Sequence, residues 1–341
     1  MKALVTGATG FLGGAVVRRC LDRGIAVRAL ARDPEAARRR FPTSVEVARG
    51  DLTTPQAVIA ALDGCDALLH LAALVKRKAP KALFDLVNVQ ATEALLGTAV
   101  ARGIRTVYTS SFFALGPSDG LAEGRSHASP PAKQAPHTDY ERTKREADRR
   151  LERFRGGSDP LVTLYPGVLY GPGELTEANL VTALIRDHLR GRVPGLPSGG
   201  KRTWCYAYVD DVADAHLAAL ERGAPGASYT LPGDNRTARD FFVELQRLTG
   251  LAPPRFSLPI PVLWVAGWAD EIAAGVVGRE PKLTRAEALT YAHDWALDGR
   301  SGAAGLGART TPLGVGLERT IAWLRAREPK LFTGVSAPHA G

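Results

Sequence analysis

A short apolar strand at residues 3–5 runs straight into Thr6-Gly7-Ala8-Thr9-Gly10-Phe11-Leu12-Gly13. Apolar residues Val16, Val17, Cys20 and Leu21 then follow at helical spacing. Strand, glycine turn and amphipathic helix in that order make a cradle for a dinucleotide pyrophosphate. Gly7 permits the sharp turn, Gly10 lets backbone approach a phosphate, and Gly13 lets helix pack closely on strand. The helix N-terminus offers unpaired N–H groups and a partial positive charge. With 36 glycines in 341 residues, this glycine spacing arises by chance about 0.4 times. Specificity therefore comes from the flanking strand and helix.

The first two-thirds of the chain alternate strand and helix, which predicts an α/β fold: a Rossmann-like, doubly wound parallel sheet covered on both faces. Strands are expected at residues 3–5, 27–30, 45–48, 67–71, 106–110 and 162–165, with helices near 11–23, 34–40, 55–62, 81–102 and 139–155. Residues 116–138 carry Gly, Pro, Ser and charges without periodicity and read as a long mobile loop, a candidate substrate flap. Beyond 165 the pattern predicts a smaller, mostly helical domain, with helices near 174–190, 210–222, 237–249, 261–277, 284–292 and 313–326. The expected division is a dinucleotide-binding domain at 1–165, rejoined by 205–222, a substrate domain at 166–332 and a flexible tail at 333–341. Asp210 and Asp211 are placed to cap the helix that follows them.

The formal charge of +9 is carried by short scattered runs such as Arg38-Arg39-Arg40, without interleaved aromatics or zinc-finger spacing. No nucleic-acid partner is expected. Cys20, Cys65 and Cys205 lie far apart with no CxxC, and the apolar contexts of Cys20 and Cys65 point to small buried thiols of a cytoplasmic protein. No metal-ligand spacing links His70, His127 and His137, so no metal is expected. Asp270 and Glu271 interrupt the longest apolar stretch, residues 260–277, and argue for a buried or pocket-covering helix over a membrane span.

Tyr140 and Lys144 stand one helical turn apart and share a face. Lowering a phenol pKa by about three units needs roughly 4 kcal/mol. A cation at about 4 Å supplies that only at an effective dielectric near 20, so the pair needs a semi-enclosed site. Ser110 and Ser111 end the fifth predicted strand, on the carboxyl edge where open α/β sheets bind ligands. A hydroxyl there can polarise a reacting carbonyl.

Together these pieces resemble the extended short-chain dehydrogenase/reductase superfamily (the NAD-dependent epimerase/dehydratase family). The matching pieces also include Gly50-Asp51-Leu52, His70-Leu71-Ala72-Ala73, Asn88-Val89, Thr109-Ser110-Ser111, Pro166-Gly167-Val168-Leu169-Tyr170-Gly171-Pro172 and Tyr208-Val209-Asp210-Asp211. The resemblance implies a catalytic Tyr140, a cofactor-holding Lys144 and an oxyanion-polarising Ser111, with Ser110 the lesser candidate. It implies Asp51 and Leu52 beside the adenine, Ala72 and Pro166, Gly167, Val168 and Leu169 flanking the nicotinamide half, and Leu71, Ala73 and Thr109 among the other cofactor contacts. Within the superfamily the chain looks most like the dihydroflavonol reductase and 3β-hydroxysteroid dehydrogenase branch. A homodimer through the helices near 81–102 and 139–155 is also implied.

Arg32 follows the second predicted strand, 19 residues past Gly13, with no carboxylate before it. Since an acid there favours NAD and Arg a 2′-phosphate, the reading is NADP(H), with NAD(H) the alternative. The expected activity is NADPH-dependent interconversion of a ketone or aldehyde and its alcohol. Phe112, Phe113, Tyr170, Arg202 and Trp204 are candidate substrate contacts, with Tyr206, Trp264 and Trp268 adding apolar surface. A nucleotide-sugar epimerase or dehydratase is the enzymatic alternative. The residue seven before Asp211 in such enzymes is commonly a diphosphate-binding Arg; here it is Trp204, with Arg202 nearby. A non-catalytic NADP-binding regulator is a third reading, against which the intact Tyr140/Lys144 pair speaks.

Overall fold

The computed structural model describes residues 1–176 and 179–332. The expected tail at 333–341 and part of the expected helix at 174–190 lie outside the described residues. Six strands follow the predicted alternation: β1 (Lys2–Thr6), β2 (Ala26–Ala31), β3 (Glu46–Arg49), β4 (Ala67–His70), β5 (Arg105–Thr109) and β6 (Leu161–Tyr165). Between them run α1 (Phe11–Asp22), α2 (Pro34–Arg40), α3 (Pro55–Ala60), α4 (Lys81–Phe84), α5 (Thr92–Ala101), α6 (Phe112–Leu115) and α7 (Asp139–Leu151). The helix expected at 81–102 is one rod in three parts, because a π-helical stretch, Asp85–Ala91, joins α4 to α5.

The second half contributes β7 (Val168–Tyr170), α8 (Leu180–Leu189), β8 (Gly195–Pro197), β9 (Thr203–Tyr208), α9 (Val209–Arg222), β10 (Ser228–Thr230), β11 (Asp234–Thr237), α10 (Ala238–Thr249), β12 (Phe256–Leu258), α11 (Ile260–Val277), α12 (Arg285–Thr290), α13 (Arg300–Leu306) and α14 (Leu313–Arg327). It is thus less helical than its composition predicts. One three-stranded sheet, β11-β9-β7, and one pair, β12-β8, lie among its helices. These strands are three to six residues long, too short to show a two-residue period between the Pro and Gly turns.

The main sheet has seven parallel strands in the order β10-β6-β5-β4-β1-β2-β3. Order reverses between β1 and β4, and ligands bind at the carboxyl end of such a switch point. One face buries Val5, Val16, Val17 and Val27 against Val212 and Leu217 of α9; the other buries Leu4, Leu68, Leu95 and Leu96. Apolar residues on both faces explain why the strands read as continuous runs. α9 packs against α1, and β10 adds a strand beside β6, so the chain returns to the first body through residues 209–230. Asp210 and Asp211 lie in the first turn of α9 but do not cap it; its N-cap is Tyr208. Asp210 pairs with Arg18 and Asp211 accepts the Thr311 N–H.

The segment at 116–138 is a loop, but a fastened one. The Arg125 backbone bridges to Leu297, and its guanidinium donates to the carbonyls of Pro117 and Pro130 at 2.7 and 2.6 Å. Ser118 bonds to Asp294 and Ala296. These ties make it a strap over the second body instead of a free flap.

Candidate active site

The glycine turn packs as its spacing predicts. Gly7 has φ of +70° and sits against the Ala72 backbone, where a Cβ would lie 2.8 Å from the Ala72 nitrogen. A Cβ on Gly13 would lie 2.0 Å from the Gly7 carbonyl oxygen, so no other residue fits there. Gly10 is the extended N-cap of α1, which has no side-chain cap and no acid in its first turn. Its orphan N–H groups therefore face outward for an anion, and the cradle fits a dinucleotide pyrophosphate. Phe11 and Leu12 point into the core and offer only backbone to such a ligand.

Sequence reasoning missed Arg40. At the end of α2, its guanidinium donates to the carbonyls of Thr9 and Gly10, and burial lowers its pKa. It braces the turn and adds positive charge beside it. The only signal was its membership in the basic run at 38–40, which reads as a solvated helix face. Arg32 is exposed just past β2, with no ion pair or hydrogen bond among the described residues. The adjacent Asp33 is engaged in capping α2, accepting the Ala36 N–H at 3.0 Å. Asp51 accepts the N–H and hydroxyl of Thr53 at 2.8 and 2.9 Å, opening the turn before α3, while Leu52 is buried in the core.

At the switch point, side chains hold the loop after β4. His70 is fully buried, with Thr6 Oγ1 2.7 Å from Nδ1 and Thr92 Oγ1 3.1 Å from Nε2. Burial lowers its pKa to about 3, so it is neutral and structural. Thr6 Oγ1 also accepts the Ala72 N–H at 3.3 Å, fixing Leu71, Ala72 and Ala73 over the glycine turn. Asn88 accepts the Leu74 N–H at 2.7 Å and donates to Thr143 at 3.1 Å. It ties this loop to α7, which carries Tyr140.

Tyr140 and Lys144 lie on one face of α7. Thr138 caps the helix by accepting the Glu141 N–H at 3.1 Å. Buried Glu141 accepts the His137 N–H at 2.8 Å and the Thr290 hydroxyl at 2.9 Å, anchoring the helix start to α12. Lys144 is buried, donates to the Thr109 carbonyl at 2.8 Å and lies 5.0 Å over the Tyr108 ring. Desolvation lowers its pKa to about 8, while nearby Asp148 opposes that shift.

Tyr140 retains some exposed surface. Burial pushes its phenol up to about 12, and a hydrogen bond with Ser111 pulls the other way. The two serines thus diverge. Ser111 faces the phenol, whereas Ser110 donates to Asp148 at 2.7 Å. Asp148 is the second residue that sequence reasoning missed; it lies one turn beyond Lys144 and pairs with Arg155 at 3.3 Å. Thr109 supports the same edge: the His216 Nδ1 donates to the Val212 carbonyl at 2.7 Å, leaving Nε2 to accept the Thr109 hydroxyl at 2.7 Å. On the far side of the site, Pro166 accepts the Phe112 N–H at 3.1 Å. A Cβ on Gly167 would lie 2.3 Å from the Cys205 oxygen, which sets the course of the chain into Val168.

Aromatic rings form the wall beyond the phenol. Phe113 meets Tyr140 edge-on at 6.1 Å and Trp295 at 4.7 Å. Trp204 lies 6.0 Å from Tyr291 and 6.1 Å from Phe112. Phe112 and Trp295 are buried behind the wall. Four expected aromatic contacts fall elsewhere. Tyr170 and Tyr206 are buried in the core of the second body, Tyr206 stacked 5.1 Å from Phe241. Trp264 and Trp268 lie on the outer surface of α11. Arg202 is held by Asp294 at 3.1 Å. All three cysteines are buried free thiols, and among the described residues no cluster of metal-ligating side chains occurs.

A doubly wound sheet with a glycine cradle at its switch point and a Ser/Tyr/Lys edge defines an NAD(P)-dependent oxidoreductase of the extended short-chain dehydrogenase/reductase kind. The comparisons agree: the model of the NAD dependent epimerase/dehydratase family matches residues 3–231, and the chain belongs to that family. It is 36% identical over 264 residues to sterol demethylase protein B of Methylococcus capsulatus, covering 76% of this chain and 78% of that protein. It is 31% identical over 288 residues to a putative dihydroflavonol 4-reductase of Synechocystis, covering 82% and 81%. A Thermus thermophilus UDP-glucose 4-epimerase solved with NAD shares the fold at a TM-score of 0.73, with 24% identity over 95% of this chain and 99% of that one.

Proposed function

We propose that the protein is an NADPH-dependent reductase of apolar or aromatic ketones or aldehydes, working reversibly on the corresponding alcohols. The observation that carries this reading is the meeting of Ser111 and Tyr140 with an aromatic wall, Phe113, Trp204 and Tyr291, that presents no unpaired arginine. The names of the Methylococcus and Synechocystis relatives support a large hydrophobic substrate. The pairing of Arg202 with Asp294 weighs against a nucleotide-sugar diphosphate.

When bound, the nicotinamide supplies the hydride. Ser111 donates a hydrogen bond to the substrate oxygen, and the Tyr140 hydroxyl, protonated at neutral pH, gives its proton to that oxygen. The Lys144 ammonium stabilises the resulting phenolate, and the Thr109 carbonyl holds the ammonium in place. Arg32, without an ion pair among the described residues, supports NADP(H), since its guanidinium can bind a 2′-phosphate bidentately. A homodimer through α5 and α7 is part of the proposal. A shallow groove lined by Gln90, Ala94, Gly97 and Arg150 runs along those helices.

The test is KM for NADPH and NADH with a panel of hydrophobic ketones, in the wild type and in Arg32→Ala. Lower KM for NADPH, lost in the variant, is expected. A clear NADH preference in the wild type contradicts the cofactor assignment, and turnover confined to nucleotide sugars contradicts the substrate class.

A further inference from the structure

The helix α11 has its polarity inside out. The positions turned toward α12 include its only two charged residues. Asp270 accepts from Arg279 and from the Leu283 N–H at 3.1 Å, and Glu271 pairs with Arg285 at 2.9 Å. The positions turned to solvent are apolar. Val262, Val265, Trp268, Ile272 and Val276, spaced three, three, four and four apart, are 55, 55, 47, 50 and 83% exposed. A lone domain rarely leaves such a contiguous face in water. Sequence reasoning placed this stretch as a buried or pocket-covering helix; most of it is neither, and the two acids interrupt only its inner face.

Among the described residues this is one helix long and apolar enough to cross a bilayer by length and composition. Its attachments fix it along the surface instead. A Cβ on Gly267 would lie 2.7 Å from the Thr284 carbonyl carbon, so helix and following chain touch backbone to backbone. Crossing would also take both ion-paired carboxylates into hydrocarbon.

The surroundings are basic. Lys76 pairs with Glu280 at 3.6 Å and Arg77 with Glu287 at 2.8 Å, which brings residues 76–78 alongside the helical pair. Basic residues outnumber acidic ones seven to four over 76–78 and 255–287. All four acids are engaged by Arg or Lys, whereas Lys78, Arg255 and Lys282 have no carboxylate partner among the described residues. We propose that the outer face of α11 docks in the plane of an anionic lipid surface, with Lys78, Arg255 and Lys282 on the headgroups. An apolar helix face, two interfacial tryptophans and a basic rim match such a surface in shape and sign. A second copy of the chain matches it poorly, because a twofold contact through this face sets basic rim against basic rim.

Docking sets the site beside the lipid. α12 packs under α11 and leads to Tyr291 in the aromatic wall. On the reductase reading, a hydrophobic ketone dissolved in the bilayer is then concentrated one helix away from the site. Vesicle binding requires no turnover, so the docking assignment and the reductase reading fail separately.

The experiment is flotation of the full chain with vesicles of phosphatidylcholine alone or with added phosphatidylglycerol. Wild-type protein is expected to float with the anionic vesicles. Val265→Glu/Ile272→Glu should lower the bound fraction about tenfold, and Lys78→Glu/Lys282→Glu should remove the dependence on anionic lipid, with thermal melting unchanged in both. Three results overturn the proposal: no flotation of the wild type, flotation indifferent to both double variants, or self-association without vesicle binding that Val265→Glu/Ile272→Glu abolishes. The last would make the face an interface between copies.

Discussion

At the residue scale, burial pulls Tyr140 and Lys144 in opposite senses. It raises the phenol to about 12 and lowers the ammonium to about 8, so near neutrality the phenol holds its proton and the lysine remains largely cationic. The Lys144 nitrogen lies 6.0 Å from the centre of the Tyr140 ring. At an effective dielectric of ~20 that charge is worth about 3 kcal/mol, or roughly two pKa units. Ser111 and the substrate oxygen must provide the rest. Tyr140→Phe should therefore cut kcat by about a hundredfold or more while leaving dinucleotide affinity nearly unchanged by fluorescence titration. The ammonium is lost as pH rises through about 8, so kcat should fall on that alkaline limb. Asp148 raises the Lys144 pKa; Asp148→Asn should move the limb to lower pH, and an unmoved limb would assign it elsewhere. The sequence showed the Tyr/Lys spacing but not Asp148, because an acid four residues on also looks like an ordinary helix pair.

At the element scale, the glycine turn is a packing requirement as well as a ligand cradle. Gly13→Ala puts a methyl on the Gly7 carbonyl, which must separate α1 from β1. Unfolding in urea should show a loss of about 1–3 kcal/mol, with dinucleotide binding lost as well; full binding in a stable variant would contradict the cradle. The six N-terminal strands and their helices were legible because each carries an uninterrupted apolar run or a 3.6-residue period. The strands of the second body were not, since their pairing is set by distant contacts such as Asp234 opposite Tyr206. The basic run at 38–40 looked uniform, and only the return of the chain that brings its last residue to the Thr9 and Gly10 carbonyls singles out Arg40. For α11 the sequence gives composition but not direction, because two acids in an apolar helix mark a polar face without saying which side it meets.

At the scale of the whole molecule, two neutral histidines tie the sheet to its surroundings. Folding lowers the pKa of His70 to about 3 and of His216 to about 4, chiefly by desolvation. The unfolded chain binds these protons near pH 6.5, so it holds more protons than the native state between the two values. Stability is complete above about pH 6.5 and declines as pH falls toward 4, by about 1.4 kcal/mol per unit for each histidine. Melting temperatures at pH 7.5 and 5 should show the decline, with a shallower slope in His70→Gln; equal temperatures would contradict it. The central claim concerns the molecule as a catalyst: net hydride transfer to a hydrophobic carbonyl at the Ser111/Tyr140 edge. It is tested most directly with NADPH deuterated at the transferred position. One deuterium on the new alcohol carbon for each cofactor oxidised, with both lost in Tyr140→Phe, is the predicted result. A nucleotide sugar converted with no net oxidation of cofactor and no deuterium in any alcohol product would contradict it.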